Sequence, residues 1–293
     1  MNIQKWLKEN TSDLKRKTIA ITGSTGALAN ELVFQLAKLN ANFILINRNR
    51  VKTQKQINEL IALYPNIKVD FVDCDLANFE SVKIATEILK SKNIDILYLA
   101  AGIYNVKRYN TNIDFDNIFQ TNFVSHYYMV KELLPNLNSV NGKVVAISSI
   151  AYNYSTLDEA DIDFRTRKKH SKVYGNSKRF LTFALQELLI KENVNLSIVH
   201  PGVTLTEMTN HYPKAINWLV KFGINVLFPS KQKATLSLIK GVFESTNNHE
   251  WIGPKIFNIW GKPKKQKIKN ATKNECKKIF EIAENIYKNI INK

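Results

Sequence analysis

The sequence has little cysteine and no long apolar run. Only two cysteines, Cys74 and Cys276, occur in 293 residues, and they lie far apart. They provide neither a disulfide framework nor the Cys/His spacing of a zinc site, which fits a reducing cytosol. The first ten residues lack the apolar core of a signal peptide, and the longest apolar stretch, residues 216–228, is interrupted by Lys221 and is too short to span a bilayer. We therefore expect a cytoplasmic location, no transmembrane segment and no bound metal.

Flexible linkers are also missing, because no stretch is rich in glycine and serine or in proline. A chain of this length with 44% hydrophobic residues can bury a large core. We expect one domain over residues 1–293. Within it we expect an amphipathic lead at 1–16, a lid on the substrate side at 207–240 and a lysine-rich helical tail at 262–293.

Acidic residues are scarce relative to basic ones: 25 against 42, which gives a formal net charge of +17. Much of the excess lies in the last 32 residues, which hold ten lysines and three glutamates. Such a surface can simply be solvated, or it can attract anionic lipid, nucleic acid or a phosphorylated cofactor. Since no nucleic-acid recognition module accompanies the charge, we expect no specific nucleic-acid partner and at most weak contact of the tail with an anionic surface.

A turn with few glycines follows the first predicted strand. The buried strand Thr18–Thr22 enters a run of small residues and then a helical pattern, which is the context of a dinucleotide-binding turn. Gly23 and Gly26 are present, whereas Ala27 and Ala29 stand where further glycines are expected. An ordinary strand-to-helix turn would show the same pattern. The candidate cofactor-binding residues here are Thr22, Gly23, Ser24, Thr25, Gly26, Ala27 and Leu28.

An acidic residue that could bind the adenosine ribose is absent after the second predicted strand, at about residues 42–47. Arg48 stands there instead and is placed to meet a 2′-phosphate, so we favour NADP(H) over NAD(H) as the cofactor. The third strand is predicted to end at Asp75 and Leu76. Asp75 can cap the next helix, contact the adenine, or do both.

Small or polar residues end the next strands. A fourth strand ends in Ala100, Ala101 and Gly102, where a nucleotide could pass, and a fifth delivers Ser149 to its carboxyl edge. Ligands of open α/β sheets bind at the carboxyl ends of strands. The alternation predicts an α/β fold: a Rossmann-type, doubly wound parallel sheet of about seven strands with helices on both faces. Asn122 lies in a segment, residues 111–137, that is predicted to form a long helix pair, and by itself it would be a surface residue or a cap.

Tyr174 and Lys178 lie one helical turn apart in Y-G-N-S-K and therefore share a helix face. An ammonium beside a phenol favours the phenolate, so we expect the pKa of Tyr174 to fall from about 10 toward neutrality. A tyrosine tuned in this way can exchange a proton with a substrate oxygen. A packed tyrosine and a solvated lysine would have the same spacing. The polar, charged segment between Ser149 and Tyr174 is predicted to be a surface loop beside the site.

In combination, these motifs resemble the short-chain dehydrogenase/reductase superfamily and, within it, the retinol-dehydrogenase-like group. The resemblance runs over about residues 17–258. It is carried by T-G-S-T-G-A-L-A, Arg48, Asp75-Leu76, L-A-A-G at 99–102, Asn122, Ser149, Tyr174 with Lys178, and H-P-G-V-T-L-T at 200–206. Two departures are Ala27 and Ala29 in the turn, and L-A-A-G in place of the family's commoner N-N-A-G.

The resemblance implies an oxidoreductase that interconverts a ketone or aldehyde and an alcohol. Tyr174 would donate or accept the proton, Ser149 would bind the substrate oxygen, Lys178 would contact the nicotinamide ribose and lower the tyrosine pKa, and Asn122 would support a water beside Lys178. Further cofactor contacts are implied at Pro201, Gly202, Val203, Thr204 and Thr206, and at Tyr174 and Lys178 themselves.

The partner implied by the resemblance is a small carbonyl or alcohol substrate. The aromatic segment after Thr206 favours an apolar one. A homo-oligomer formed through the helices that flank the site is possible. A different class of function also stays open, namely a regulatory or scaffold protein that binds NADP without catalysis.

Overall fold

Eight strands form one sheet in the order β3-β2-β1-β4-β5-β6-β7-β8 in a computed structural model that describes residues 2–202 and 230–292. The first seven strands are parallel to their neighbours, and β8 pairs with β7 in the antiparallel direction. The strands are β1 (Thr18–Thr22), β2 (Asn42–Asn47), β3 (Val69–Asp73), β4 (Ile96–Leu99), β5 (Lys143–Ile147), β6 (Asn195–Val199), β7 (Glu250–Ile256) and β8 (Trp260–Lys267).

Helices connect the parallel strands and cover both faces of the sheet. They are α1 (Ile3–Asn10), α2 (Ala27–Ala37), α3 (Arg50–Leu63), α4 (Phe79–Lys90), α5 (Asn117–Phe119), α6 (Ser125–Ser139), α7 (His170–Lys191), α8 (Lys231–Phe243) and α9 (Lys273–Ile291). One apolar core lies under α4, α6, α7 and α9, and a second lies under α1, α2, α3 and α8. Apolar side chains alternate between these two cores along β1, so both of its faces are buried.

The predicted fold class, a doubly wound Rossmann-type sheet, is confirmed. The sheet has one strand more than the predicted seven, because the lysine-rich segment after Trp260 forms the antiparallel edge strand β8. The order of strands reverses between β1 and β4, and at such a reversal the carboxyl ends of the strands open a crevice for ligands.

The third strand ends two residues earlier than predicted, at Asp73. The cap of α4 is Asn78, whose Oδ1 accepts hydrogen bonds from the amides of Glu80 and Ser81. Asp75 does not cap this helix. Its carboxylate instead accepts a hydrogen bond from the amide of Ala77 and shapes the turn between β3 and α4.

The predicted helix pair at residues 111–137 is one helical segment with an irregular middle. It begins at Asn117, passes through a π-helical turn over Gln120–Val124 and continues as α6. A π turn inserts one extra residue and shifts the backbone hydrogen bonds to i→i+5, a distortion that is frequent at functional sites. Asn122 lies in this turn and is fully buried, so it is neither a surface residue nor a cap.

The predicted lysine-rich helical tail is a strand followed by a helix. Helix α9 buries Cys276, Ile279, Ala283 and Ile286 against α6 and α7. Within residues 2–202 and 230–292, no helix is long and apolar enough to cross a membrane.

The charged segment between Ser149 and Tyr174 is more ordered than a simple surface loop. It starts with a 3₁₀ helix, Ile150–Tyr154, and continues through a network in which Arg165 pairs with Asp114 and with the buried Asp163.

Candidate active site

The turn after β1 packs against the end of β4 without room for a side chain. Gly23 has φ +67°, and a Cβ built on it would lie 2.8 Å from Cα of Ala101. Glycine is therefore required here for both its backbone conformation and its size. Gly26 is the N-cap of α2 and makes no side-chain hydrogen bond, so this residue does not satisfy the first amides of α2, which carry the partial positive charge of a helix N-terminus.

A buried polar cluster fixes the shape of this turn. The hydroxyl of Ser24 donates to Oε1 of Gln56 (2.7 Å) and accepts from Nδ2 of Asn47 (2.8 Å). Nε2 of Gln56 donates to the Ser24 carbonyl (3.0 Å). The side chain of Ser24, a predicted cofactor contact, is fully buried and makes these hydrogen bonds inside the protein. No motif in the sequence pointed to Asn47 or Gln56, because a polar residue in a strand or a helix carries none.

Two arginine–aspartate pairs lie where β2 and β3 end. Nη1 of Arg48 lies 3.7 Å from Oδ1 of Asp75, and both side chains are largely exposed. Arg50 makes a closer contact, with Nε 2.8 Å from Oδ2 of Asp73. The guanidinium of Arg48 is therefore the less tightly held of the two arginines. Leu76 is buried, and its carbonyl accepts hydrogen bonds from Gln120 and Ser125.

Thr22 and His126 connect the turn to Asn122. Oγ1 of Thr22 accepts hydrogen bonds from the amides of Ala100 (3.0 Å) and Ala101 (3.1 Å) and lies 3.0 Å from Nε2 of His126. Nδ1 of His126 lies 3.2 Å from the Asn122 carbonyl. Burial lowers the pKa of His126 to about 3, so the ring is neutral at physiological pH. A carbonyl can only accept, so Nδ1 carries the proton and Nε2 accepts from the Thr22 hydroxyl.

The Asn122 side chain clamps the chain just after β4. Its Oδ1 accepts from the amide of Ile103 (2.8 Å), and its Nδ2 donates to the Ile103 carbonyl and to the hydroxyl of Ser177, each at 3.0 Å. A Cβ on Gly102 would lie 3.4 Å from both Oδ1 of Asn122 and Nζ of Lys178. Asn122 and Lys178 therefore lie on one side of the crevice.

Ser149, Tyr174 and Lys178 meet where β5 ends against α7. The Ser149 side chain lies beside Tyr174, close enough to lower the pKa of the phenol, and its Oγ accepts a hydrogen bond from the amide of Ala151 at 3.2 Å. Nζ of Lys178 lies 5.8 Å from the Tyr174 ring centroid and donates to the Ile147 carbonyl at 2.8 Å. The edge of the Tyr104 ring packs against Tyr174, with the ring centroids 5.1 Å apart.

The predicted fall in the pKa of Tyr174 is wrong for the protein alone. Burial raises the pKa to about 12 and outweighs the lowering effect of the nearby Ser149 side chain. Burial also lowers the pKa of Lys178 to about 8, so its charged form is destabilised. Its Nζ also donates a hydrogen bond to the Ile147 carbonyl, which leaves less of its charge for Tyr174. The spacing Y-x-x-x-K did not show how deeply both groups lie.

Two residues beside this pair were missed in the sequence. A Cβ on Gly175 would lie 2.3 Å from the Ala151 carbonyl oxygen, so only glycine lets the segment after Ser149 pack on α7. Arg179 is 1% exposed and makes a two-point ion pair with Glu275 of α9. Its Nη1 donates to the Tyr152 carbonyl, and its Nη2, besides contacting Glu275, donates to the Asn270 carbonyl.

The remaining predicted cofactor contacts follow β6. Pro201 and Gly202 are buried at the end of this strand, and Gly202 has φ +88°. Val203, Thr204 and Thr206, together with residues 207–229 of the predicted lid, lie outside the described residues. The rest of that lid, residues 230–240, belongs mostly to α8. Within the described ranges, no group of three or more His, Cys, Asp or Glu side chains could hold a metal ion.

Comparison with known proteins identifies the family. Residues 17–217 match the family described as short chain dehydrogenase. An uncharacterized oxidoreductase of Schizosaccharomyces pombe is 31% identical over 229 residues, which are 73% of this chain and 68% of that protein. Human retinol dehydrogenase 13 is 28% identical over 67% of this chain and 61% of its own length. Human polyprenol dehydrogenase is 27% identical over 68% of this chain and 66% of its own.

Solved structures share the fold at low sequence identity. An uncharacterized protein from Mycobacterium Paratuberculosis superimposes with a TM-score of 0.74 at 20% identity over 96% of both chains. A short-chain dehydrogenase from Sphingobium yanoikuyae in complex with NADPH has a TM-score of 0.58 at 19% identity, over 76% of this chain and 83% of that one. The resemblance predicted from the motifs is confirmed, and the chain is an oxidoreductase that belongs to the short-chain dehydrogenase family, in its retinol-dehydrogenase-like group.

Proposed function

We propose that the protein interconverts an apolar ketone or aldehyde and the corresponding alcohol, with NADP(H) as cofactor and Tyr174 as the proton donor and acceptor. The observation that carries this proposal is the meeting of Ser149, Tyr174, Lys178 and Asn122 at one crevice where the strand order reverses. A protein that only bound a nucleotide would have no use for a phenol that lies beside both a serine and a lysine at this position.

The described residues fit a dinucleotide. Gly23 lets the turn pack tightly on Ala101, the N-cap Gly26 has no side chain over the N-terminus of α2, where a phosphate would bind, and Arg48 offers a weakly held guanidinium to a 2′-phosphate. When bound, NADPH supplies the hydride. The work left to the protein is to orient the substrate oxygen and to move one proton.

The pKa of about 12 makes Tyr174 a neutral phenol at physiological pH, which is the form that can donate a proton. As the carbonyl carbon is reduced, the Tyr174 hydroxyl gives its proton to the developing alkoxide, while the Ser149 hydroxyl donates a hydrogen bond to the same oxygen. The resulting phenolate is favoured by the Lys178 ammonium beside the ring. Alcohol oxidation runs through the same groups in reverse.

The substrate class is supported by composition and by relatives. Residues after Thr206 are rich in aromatic and aliphatic side chains. Two relatives are named for apolar alcohols, retinol and polyprenol. We infer an apolar substrate of the same kind for this chain.

The proposal is tested by following NADPH oxidation against a panel of apolar aldehydes and ketones, with Tyr174→Phe as the blank. We expect the purified protein to reduce at least one compound and Tyr174→Phe to lose that activity while it still binds NADPH. Turnover by Tyr174→Phe at the rate of the parent would contradict the role of the phenol. NADPH binding without turnover of any compound would instead support the regulatory or scaffold alternative.

A further inference from the structure

The turn between β7 and β8 presents apolar side chains to solvent on a strained backbone. Phe257 is 82% exposed and Ile256 is 49% exposed. Phe257 and Asn258 have φ of +49° and +56°, and the Ile259 amide donates to the Ile256 carbonyl, as in a two-residue hairpin turn of type I′. Asparagine tolerates this conformation, but for phenylalanine it is a steric outlier. Phe257 therefore combines a strained backbone conformation with an apolar side chain exposed to water.

Lys255 and Lys262 flank this tip, and further lysines lie farther along β8, where Lys265 contacts Glu244 at 3.7 Å. Lys255 precedes Ile256, and Lys262, Lys264, Lys265 and Lys267 follow on β8. No aspartate or glutamate occurs between Trp251 and Asn274. Lysines on an edge strand prevent pairing with the sheets of other molecules, and this alone can explain the lysines on β8. It does not explain why Phe257 is exposed.

The tip lies at the carboxyl edge of the sheet, on the same edge as the candidate active site. Strand β7 runs parallel to β6, so both point toward this edge. His200, just after β6, contacts the Asn258 carbonyl through Nε2 at 3.2 Å, and a Cβ on Gly202 would lie 3.2 Å from the Ile259 carbonyl. The hairpin is therefore tied to the point where the chain enters the substrate-side segment.

We propose that the β7–β8 hairpin docks the protein on an anionic lipid surface, with Phe257 and Ile256 inserted among the acyl chains and Lys255 and Lys262 on the headgroups. Apolar side chains flanked by lysines suit this interface, where the apolar part leaves water and the ammonium groups meet anionic phosphates. Docking would turn the carboxyl edge of the sheet toward the lipid. The contact does not depend on the proposed reaction, since a catalytically inactive chain would dock equally well.

The test uses the full chain and sedimentation with vesicles of phosphatidylcholine alone or mixed with phosphatidylserine. We expect binding to the mixed vesicles, little binding to phosphatidylcholine alone, and weakening by added salt. Phe257→Gly suits the positive φ, so this variant should fold with an unchanged or higher melting temperature while it binds the mixed vesicles at least about tenfold more weakly.

Two matched variants separate insertion from general charge or apolarity. Leu63→Ser removes an exposed apolar side chain from α3 and should bind like the parent. Lys255→Glu/Lys262→Glu should weaken binding by about tenfold or more, whereas Lys68→Glu/Lys277→Glu, with the same change of net charge at other exposed positions, should have a smaller effect.

Three outcomes would overturn the proposal. The parent could fail to bind the mixed vesicles. Phe257→Gly could bind as tightly as the parent, which would reduce the contact to charge attraction without insertion. A single-stranded oligonucleotide could bind the parent and displace it from the vesicles. If the oligonucleotide did not bind Lys255→Glu/Lys262→Glu but bound Phe257→Gly as tightly as the parent, the hairpin would be a nucleic-acid surface instead.

Discussion

The backbone of Gly175 lies so close to the Ala151 carbonyl that an alanine Cβ at this position would stand 2.3 Å from the oxygen. The 3₁₀ helix that contains Ala151 begins directly after Ser149, and Gly175 directly follows Tyr174. The contact therefore sets the spacing between the two hydroxyl groups of the candidate site.

We expect Gly175→Ala to push the 3₁₀ helix away from α7, which should lower turnover at least about tenfold and destabilise the fold by roughly 1–3 kcal/mol. Gly241→Ala is the matched control, because its Cβ would lie 2.3 Å from Val199 Cγ1 in the core under α8, on the face of the sheet opposite α7. Both variants should melt earlier, but only Gly175→Ala should lose turnover per folded molecule with NADPH binding retained. Equal turnover in the two variants would contradict the positioning role.

A second prediction concerns the buried Arg179–Glu275 pair, which joins α7 to α9 with Nε···Oε1 at 2.8 Å. Glu275→Gln should cost roughly 3–5 kcal/mol of stability, because it leaves the buried guanidinium without its counter-ion. Arg179→Met/Glu275→Gln should regain much of that loss, since it removes the uncompensated charge. Urea unfolding of the two variants and the parent measures this, and a double variant less stable than Glu275→Gln would contradict it.

The buried Lys178 should make stability depend on pH. Its pKa is about 8 in the folded protein and 10.5 for the free side chain. Between these values the unfolded chain holds a proton that the folded chain has released, so the free energy of unfolding should rise with pH. Below pH 8 both states are protonated and the cost of the buried ammonium is constant.

Urea unfolding of the parent and Lys178→Met at several pH values, without added cofactor, measures this dependence. Between pH 7 and 10, the free energy of unfolding of the parent should rise by roughly 2–3 kcal/mol more than that of Lys178→Met. The comparison should stop near pH 10, because Tyr174, whose pKa is raised to about 12, then acts in the opposite direction. Lys172→Met, at an exposed position of α7, controls for the loss of a lysine. If the free energies of unfolding of the parent and Lys178→Met depended on pH in the same way, burial would not lower the pKa of Lys178.

Arg48→Asp should shift cofactor choice toward NADH. It replaces the guanidinium at the proposed 2′-phosphate site with a carboxylate, which has the same sign of charge as the phosphate and repels it. The ratio of the NADPH and NADH dissociation constants should rise at least about tenfold. Arg16→Asp carries the same change of charge before β1 and should leave the ratio unchanged. If Arg48→Asp left it unchanged too, Arg48 would have no part in cofactor choice.

The sequence was sufficient for the first five parallel strands, because runs such as β1 and β2 are short and apolar and end in small or polar residues, but it did not predict the lysine-rich edge strand β8. It was not sufficient for contacts between distant segments. Gly175, His126 and Arg179 each act through a partner that lies 24, 104 or 96 residues away, respectively at Ala151, Thr22 and Glu275. Burial also reversed the predicted direction of the Tyr174 pKa, and burial follows from packing that the local spacing does not contain.

Helix α9 covers α7 through the Arg179–Glu275 pair and its own apolar face, and Tyr127 of α6 donates to Glu284 at 2.6 Å. This support comes from the same chain and not from a second copy. Its strength is therefore independent of protein concentration, and dilution, which dissociates oligomers, leaves this face of α7 covered.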